Sequence, residues 1–379
     1  MIFAPQFELS PQVTGTIESI ERSAWLIANM LIMPKHELWI RREVSIGRAA
    51  ATTRIEGASL EADEVGQLAK KRPTGKLTED EQANLNALEA YRFVDYLSDQ
   101  PEIPLDELVI RELDRYFVKD MGELLMPGVY RNGQNKVGDK YLPPDQGDVP
   151  DLMRAFAVWL RTEDASLHPV AKAGIAHIQL VAIHPFWDGN GRTGRALATV
   201  ILQRSACNFR KLVSLERFFE GMRRDYMSAI ERTLGDSFAP DYDASSWLDF
   251  FARSLLAEGM RITDQMTRWH QTVAVLYEAM EPLNVNHRQT DGMTLAVRAG
   301  KLTRADYMEM TGASPLTASR DLARLVDLGV LTPRGKTRGR VYLFNHEWLM
   351  KKGRDGERAE EKPEQARLFG NEGGTGEAT

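Results

Sequence analysis

What the 379-residue sequence lacks narrows it first. It holds one cysteine, Cys207. A single thiol cannot close a disulfide within the chain, which points to a reducing compartment, and Cys207 itself reads as a small buried hydrophobe. Long apolar runs are missing too. The stretch AWLIANMLIM, residues 24–33, falls well short of the roughly 20 residues that a membrane span needs. The opening MIFAPQFELSPQ has no basic segment followed by an apolar core, so no secretory leader is expected. The expectation is a cytoplasmic protein without membrane contact. Positive charge is not in excess: 48 Lys and Arg against 54 Asp and Glu leave a net charge of −6. That excludes electrostatic binding of nucleic acid by the molecule as a whole and confines any DNA contact to a local basic patch. No repeat of fixed period is present.

What is there is ordinary for a soluble globular chain, 43% hydrophobic and 27% charged residues, so a normal core can be buried. The length suggests about two to three domains. Residues 12–70 read as helical, with Ile17, Ile20, Trp25, Leu26 and Met30 at mixed three- and four-residue spacing and a stop at Gly57. Thr78 ahead of acidic residues opens another helix. GVYRNGQNKVGDKYLPPDQGDVP, residues 128–150, is rich in turn formers and alternates around Val129, Tyr130 and Val137, which predicts a short β-hairpin or extended flap and then a loop. Helices return at DLMRAFAVWLRTE and PVAKAGIAHIQLVAI, again after residue 192, and in two further stretches around residues 218–233 and 244–263.

Between two of these helices lies HPFWDGNGRTGR, residues 184–195. The first helix must end near His184, because Pro185 disfavours helical backbone in the residue before it. Gly189 and Gly191 let the turn adopt positive φ and gather backbone N–H groups. The next helix starts there, with unpaired amides and the positive end of its dipole. Together these make an anion site. Arg192 and Arg195 add two permanent charges whose fork of donors suits phosphate oxygens. The turn is therefore expected to hold a polyphosphate. His184 at its rim can take the proton of an incoming hydroxyl, since an ordinary imidazole titrates near pH ~6.5. Asp188 is placed to hold Mg²⁺ bridging phosphate oxygens, and Asn190 to donate to the phosphorus centre as charge builds there.

Position for position, this segment resembles the pattern HPFx(D/E)GNGRxxR of the Fic family, whose members mostly transfer AMP from ATP to protein hydroxyls. The resemblance extends over residues 12–260: GVYRNGQNKVG…YLPP resembles the family's flap, and LVSLERFFEGMRRDYMSAIERT the helical region after the motif. Tyr226 stands where the family often has paired tyrosines, with Asp225 in place of the first. The implied fold is mainly α, a helical core with a short β-hairpin flap. The implied activity is protein adenylyltransferase, moving AMP from ATP to a Ser, Thr or Tyr hydroxyl of a target and of itself, with loss of pyrophosphate. His184 would be the general base and Asp188 the Mg²⁺ ligand. Gly189, Asn190 and Gly191 would cradle the α- and β-phosphates, Arg192 would bind the β-phosphate and Arg195 the γ-phosphate. Phe186 would pack beneath the loop. The flap, Val129–Val137, would pair with an extended target segment by strand addition.

ATTRIEG, residues 51–57, fits a second pattern of that family, carried here by Thr52, Glu56 and Gly57. There the glutamate lies on an inhibitory helix and pairs with the second arginine of the motif, here Arg195. Because this helix precedes the core, the chain resembles the self-inhibited class with an N-terminal brake.

The resulting division is an N-terminal helical region at 1–105, a catalytic core at 106–260, a connecting helix or linker at 261–289, a winged helix-turn-helix at 290–348 and a disordered tail at 349–379. Ser314, Thr317, Ser319 and Arg320 near the start of the second winged-unit helix, with Arg334, Lys336, Arg338 and Arg340 at the wing, would suit phosphate backbones; the alternative is a docking or dimerisation module. EQARLFG, residues 364–370, weakly resembles a bacterial sliding-clamp-binding peptide with Gln365, Leu368 and Phe369 as anchors. Two other functions stay open beside AMP transfer: a DNA-binding regulator using the core as a nucleotide sensor, and an enzyme removing AMP at the same site with Glu56 orienting a water.

Overall fold

The computed structural model describes residues 3–71, 75–122, 125–138, 140–162, 167–336 and 340–351. Its chain divides into two units, Met1–Thr263 and Asp264–Thr379. Both are mostly helical.

Helices begin where small polar residues and prolines dictate. Ser10 caps α1 (Pro11–Ala28) and α2 spans Pro34–Ile55. The short helix α3 (Ala62–Lys71) follows. Thr78 and Glu81 close a reciprocal capping box on α4 (Glu79–Asp99), satisfying two amides that would otherwise lack partners. Asp106 caps α5 (Glu107–Val118), and α6 covers Val149–Arg161. Then come α7 (Pro169–Ile183) and α8 (Asn190–Gln203), joined by the glycine-rich bend. From Val170 to Ile183 only Lys172 escapes burial, so α7 is a core helix on all sides. The stretch at 218–233 is not one helix: non-helical backbone at Met222 splits it into α9 (Leu215–Gly221) and α10 (Arg223–Leu234). A 36-residue helix, α11 (Ser245–Met280), contains the division between the units.

The bend is thus surrounded by scaffold. α8 packs on α4, α5 and α7, and α2 packs on α4 and α9. A layer of buried polar side chains joins α2 to that core. Glu216 of α9 accepts from the Tyr91 hydroxyl at 2.7 Å, from Thr199 at 3.2 Å and from Ser214 at 3.0 Å. Arg48 of α2, 1% exposed, places its Nε 3.6 Å from Glu216 and donates to the Val213 carbonyl at 3.0 Å. A buried pair of this kind tolerates little disruption, because removing one partner strands the other charge.

The segment after α5 departs from the hairpin expectation. Residues 128–138 and 140–142 run as bends, turns and irregular backbone, and among the described residues the only antiparallel bridge here is Val137 to Tyr141 instead of a ladder. Other hydrogen bonds go to the bend, to α5 and, from Leu142, to Asp236 and Phe238. Cys207 is buried, and that burial pushes its thiol up to about 11, the behaviour of a packing residue.

The second unit carries α12 (His287–Ala299), β1 (Lys301–Thr303), α13 (Arg304–Thr311), α14 (Pro315–Asp327), β2 (Leu331–Arg334) and β3 (Val341–Phe344). The strands form an antiparallel sheet in the order β1-β3-β2. Gly312, at φ +68°, turns α13 into α14. Buried Asp321 accepts from Tyr307, Gln289 and Arg288, tying α14 to α13 and α12. Residues 346–351 add a last helical turn; Arg338 and the segment 364–370 lie outside the described residues. Among the described residues no helix is long and apolar enough to cross a membrane.

Candidate active site

His184 closes α7 in the left-handed conformation, φ +49° and ψ +57°, with its amide still bonded to Leu180. This is unusual twice over. A residue with a Cβ resists that region, and a residue before proline is steered to extended backbone. Strain of this kind persists only where the surroundings enforce it. The imidazole is half-buried, and burial lowers its pKa to about 4, helped by the Arg131 charge; the Val181 carbonyl, Glu56 and Asp188 pull the other way. At neutral pH it is a free base.

The bend after His184 is held by its own side chains. The Asn190 carboxamide accepts from the Phe186 amide and donates to the Phe186 carbonyl, both at 2.9 Å. Asn190 therefore braces the loop with its carbonyl oxygen and one of its two side-chain N–H donors. Phe186 is 1% exposed beneath the loop. Gly189 takes φ +80°, and a Cβ there would lie 2.7 Å from an oxygen of buried Asp114 and 2.9 Å from Val118. Gly189→Ala is expected to cost about 2–4 kcal/mol from left-handed strain plus overpacking. A thermal melt reads this as a drop of several degrees; an unchanged melt would mean the bend is not held against α5.

Beyond Gly189, the first amides of α8 have no intrahelical carbonyl, and the dipole adds positive potential there. Arg192 is buried, and its Nε has no hydrogen-bond partner, an unmet donor beside these amides. Its Nη2 donates to Asp188 at 2.8 Å, while the other Asp188 oxygen accepts from the Gly189 amide at 2.6 Å. Burial works to raise Asp188, but the Arg192 charge and these bonds win and hold it below the usual carboxylate range. Asp188 is half-exposed, and among the described residues no cluster of three or more metal-ligating side chains exists. One open carboxylate beside a phosphate cradle fits Mg²⁺, which keeps most of its waters and shares substrate oxygens.

Arg195 is fully enclosed. Its Nε donates to the Thr52 hydroxyl at 3.0 Å and its Nη2 to the Thr52 carbonyl at 3.1 Å. Nη2 also meets Glu56 at 2.6 Å, and Nη1 donates to Tyr226 at 3.3 Å. Thr52 sits in the last turn of α2, and Glu56 follows as its C-cap just before Gly57 at φ +109°. The Glu56 carboxylate also covers the bend: a Cβ on Gly191 would lie 2.8 Å from its oxygen. A protein carboxylate thus occupies the ground where an anion would approach α8. Tyr226, matched by the sequence to the tyrosine region, touches Arg195 on one side and lies 2.9 Å from His177 Nε2 on the other.

The flap is pinned to this site. Gly128 donates to Asp114 at 2.9 Å and accepts from Arg111 at 2.6 Å. Val129 is exposed and Val137 half-buried. Two residues that sequence reasoning did not single out are part of the machinery: Asp114, wedged between Gly128 and Gly189, and Arg131, which holds the bend. Neither carries a local motif, because their partners are backbone groups.

With this geometry in view, the comparisons are specific. Residues 104–202 match the model of the Fic/DOC family. The chain is 42% identical over 102 residues to a protein named Protein adenylyltransferase Fic from Drosophila erecta, which is 26% of this chain and 20% of that protein. It is 49% identical over 79 residues to the Drosophila melanogaster protein of the same name, 21% and 16% of the two chains. The chain thus spans about a fifth of the length of these curated relatives. Among solved structures, a Fic family protein from Desulfovibrio desulfuricans G20 superposes with a TM-score of 0.60 at 19% identity, covering 91% of this chain and 99% of that one. Fic-1 from C. elegans gives 0.54 at 22% identity, over 69% and 75%. Both likenesses are of fold.

Proposed function

We propose that this chain, whose residues 104–202 are a Fic/DOC family domain, is a protein adenylyltransferase held in check by its own α2. The observation that carries the reading is the left-handed His184 with its neutral imidazole at the rim of an anion-binding helix start. ATP binds with its phosphates along Gly189–Gly191, the β-phosphate at Arg192 and the γ-phosphate at Arg195. A target hydroxyl, aligned by pairing of its segment with the flap at Val129–Val137, attacks the α-phosphorus. Its proton passes to the His184 imidazole as the new P–O bond forms. The bond from the α-phosphorus to the bridging oxygen breaks, and pyrophosphate leaves with that electron pair. Mg²⁺ at Asp188 supplies neutralisation of phosphate charge. Positioning and charge stabilisation account for such transfer, with little covalent work for the protein. The acceptors are hydroxyls on other proteins and on the chain itself.

The brake follows from Arg195. While Thr52, Glu56 and Tyr226 hold all of its nitrogens, the γ-phosphate loses its cation and meets a carboxylate instead. Mass spectrometry of Glu56→Gly protein incubated with Mg²⁺ and each nucleoside triphosphate tests reaction and donor together. A 5′-monophosphate adduct supports transfer. No adduct with any triphosphate, combined with loss of AMP from a premodified protein when the wild-type chain with Glu56 intact is added, supports removal instead.

The second unit favours a further reading, a winged helix that contacts duplex DNA. Gly312 sets α13 against α14 as a helix-turn-helix, and the sheet supplies the wing. Arg304, Arg320, Arg334, Lys336 and Arg340 are exposed around α14 and the strand ends, beside Ser314 at the α14 cap. Mobility shifts on duplex DNA should weaken steeply as salt rises, since each neutralised phosphate releases counterions. No shift at low salt rejects this reading.

A further inference from the structure

Arg131 lies on the flap, 2% exposed, and makes no direct ion pair among the described residues; burial lowers its pKa even though the Asp145 charge acts on it from farther off. A buried guanidinium without a carboxylate in contact is costly, so its donors must be met by something else. They are met by carbonyls. Nε donates to His184 O at 2.9 Å, Nη1 to Gly133 O at 3.0 Å, and Nη2 to Pro144 O. The Arg131 amide donates in addition to Pro185 O at 2.9 Å. The two successive carbonyls at the strained end of α7, those of His184 and Pro185, are thus both gripped by this one residue.

We propose that Arg131 is the positioning residue for the catalytic base: by bonding the His184 and Pro185 carbonyls it holds His184 left-handed, with its imidazole at the rim of the phosphate bend. The inference rests on the adenylyltransferase reading for what His184 does, but not for the contact itself. The physical need is plain. Nothing in the sequence around His184 favours φ +49°, and the following proline opposes it. A helix ending in glycine would reach this region freely, but glycine has no imidazole. The chain keeps the histidine and imposes the backbone from outside, with a fork of donors rigid enough to fix carbonyl direction. The same guanidinium adds a second effect. Its charge opposes protonation of the imidazole, against Glu56 of α2 and Asp188 of the bend, which favour it. Because Arg131 also bonds Gly133 and Pro144, the flap on which a target would lie and the base that would deprotonate it share one anchor.

Two substitutions in the Glu56→Gly background separate geometry from charge. Arg131→Gln removes the charge and most of the donors. It should lower kcat for AMP incorporation about ten- to a hundredfold, as expected when a reacting group is misplaced by an ångström or less. KM for ATP should stay within about threefold, because none of the Arg131 donors is aimed at the phosphate cradle. The His184 titration, followed by side-chain NMR on the protein without nucleotide, should move to higher pH. Arg131→Lys should restore the low-pH titration but not kcat, since one ammonium cannot hold three carbonyls. The proposal is overturned if kcat is within twofold of the parent, if KM for ATP rises in step with the loss, or if the His184 titration ignores Arg131→Gln. Loss of the parent's circular dichroism melt in both variants would also overturn it, making Arg131 a fold-holding residue only. If the Glu56→Gly parent transfers no AMP, the enzymatic reading fails while the NMR titration still tests the Arg131–His184 contact.

Discussion

Replacing His184 by alanine is expected to cut AMP incorporation by about a hundred- to ten-thousandfold, the usual worth of a positioned general base. The loss should fall on kcat, because in the proposed reading the phosphates are held by the start of α8 and its arginines, which the substitution leaves in place. Alanine adds no bulk and keeps the backbone carbonyls that Arg131 bonds, so the bend should survive and ATP binding should persist. Equal loss of ATP affinity and rate would mean that His184 builds the loop instead of acting on the substrate. The pH profile offers an independent check. Burial holds the His184 pKa near about 4, below its ordinary value of ~6.5. A base must be unprotonated, so the rate should stay level from pH 8 down to about 5 and fall only as pH passes through 4. An acidic limb centred near pH ~6.5 would contradict an imidazole held neutral by burial and by the Arg131 charge. The same shift has a stability consequence of fixed sign. Since the unfolded histidine takes a proton below ~6.5 and the folded one does not until about 4, the His184 contribution to stability is present above 6.5 and is lost as pH falls through that window.

Replacing Glu56 by glycine is expected to act in the opposite direction, raising AMP incorporation roughly ten- to a hundredfold. The estimate follows from the contact. A hydrogen bond to a charged group is worth about 1.5–3 kcal/mol, and coupling of that size changes occupancy by one to two decades. Glu56 is partly exposed, which keeps the value at the lower end of what a buried pair would give. The substitution removes two obstacles at once, the occupant of Arg195 and the carboxylate above Gly191. Thr52 would still hold the Arg195 side chain, so the arginine stays oriented for a γ-phosphate. Incorporation of labelled AMP measures the outcome, and a Glu56→Gly protein labelled no faster than the wild type would sink the brake.

The parts of the site legible in the sequence were those whose chemistry is local. Twelve consecutive residues contain the histidine, the acid, the glycines and both arginines, so their spacing alone forecasts a helix end, a turn and an anion-binding start. Thr78 announces its helix because its capping partner is three residues away. Glu56 was reachable only through family resemblance, since its partner is 139 positions distant. Arg131 was out of reach altogether: carbonyls are on every residue, so a ligand set made of them leaves no trace. The Arg48–Glu216 pair escaped for a related reason, being two charged residues in unremarkable contexts that meet only when α2 folds onto α9. The flap departed from a ladder because alternating side chains do not say where amides go: those of Gly128, Arg131 and Leu142 bond to α5, to the bend and to the Asp236 carbonyl. The bracing of the loop by Asn190 was not legible, because a short motif shows which polar atoms exist and not which are already engaged.

Arg48, Glu216 and Tyr91 have one more implication. The segment that carries Glu56, the brake of the proposed reading, is not an appendage that can be peeled off and discarded, for its upstream turns are riveted into the protein's interior, with Ala49, Ala50 and Ala51 wholly covered. If α2 is the brake proposed above, its release would happen at the rim, by swinging one half-exposed acidic side chain aside while the helix that carries it stays put. Such a release would be a rotamer change, with no unfolding step to reverse before silence returns.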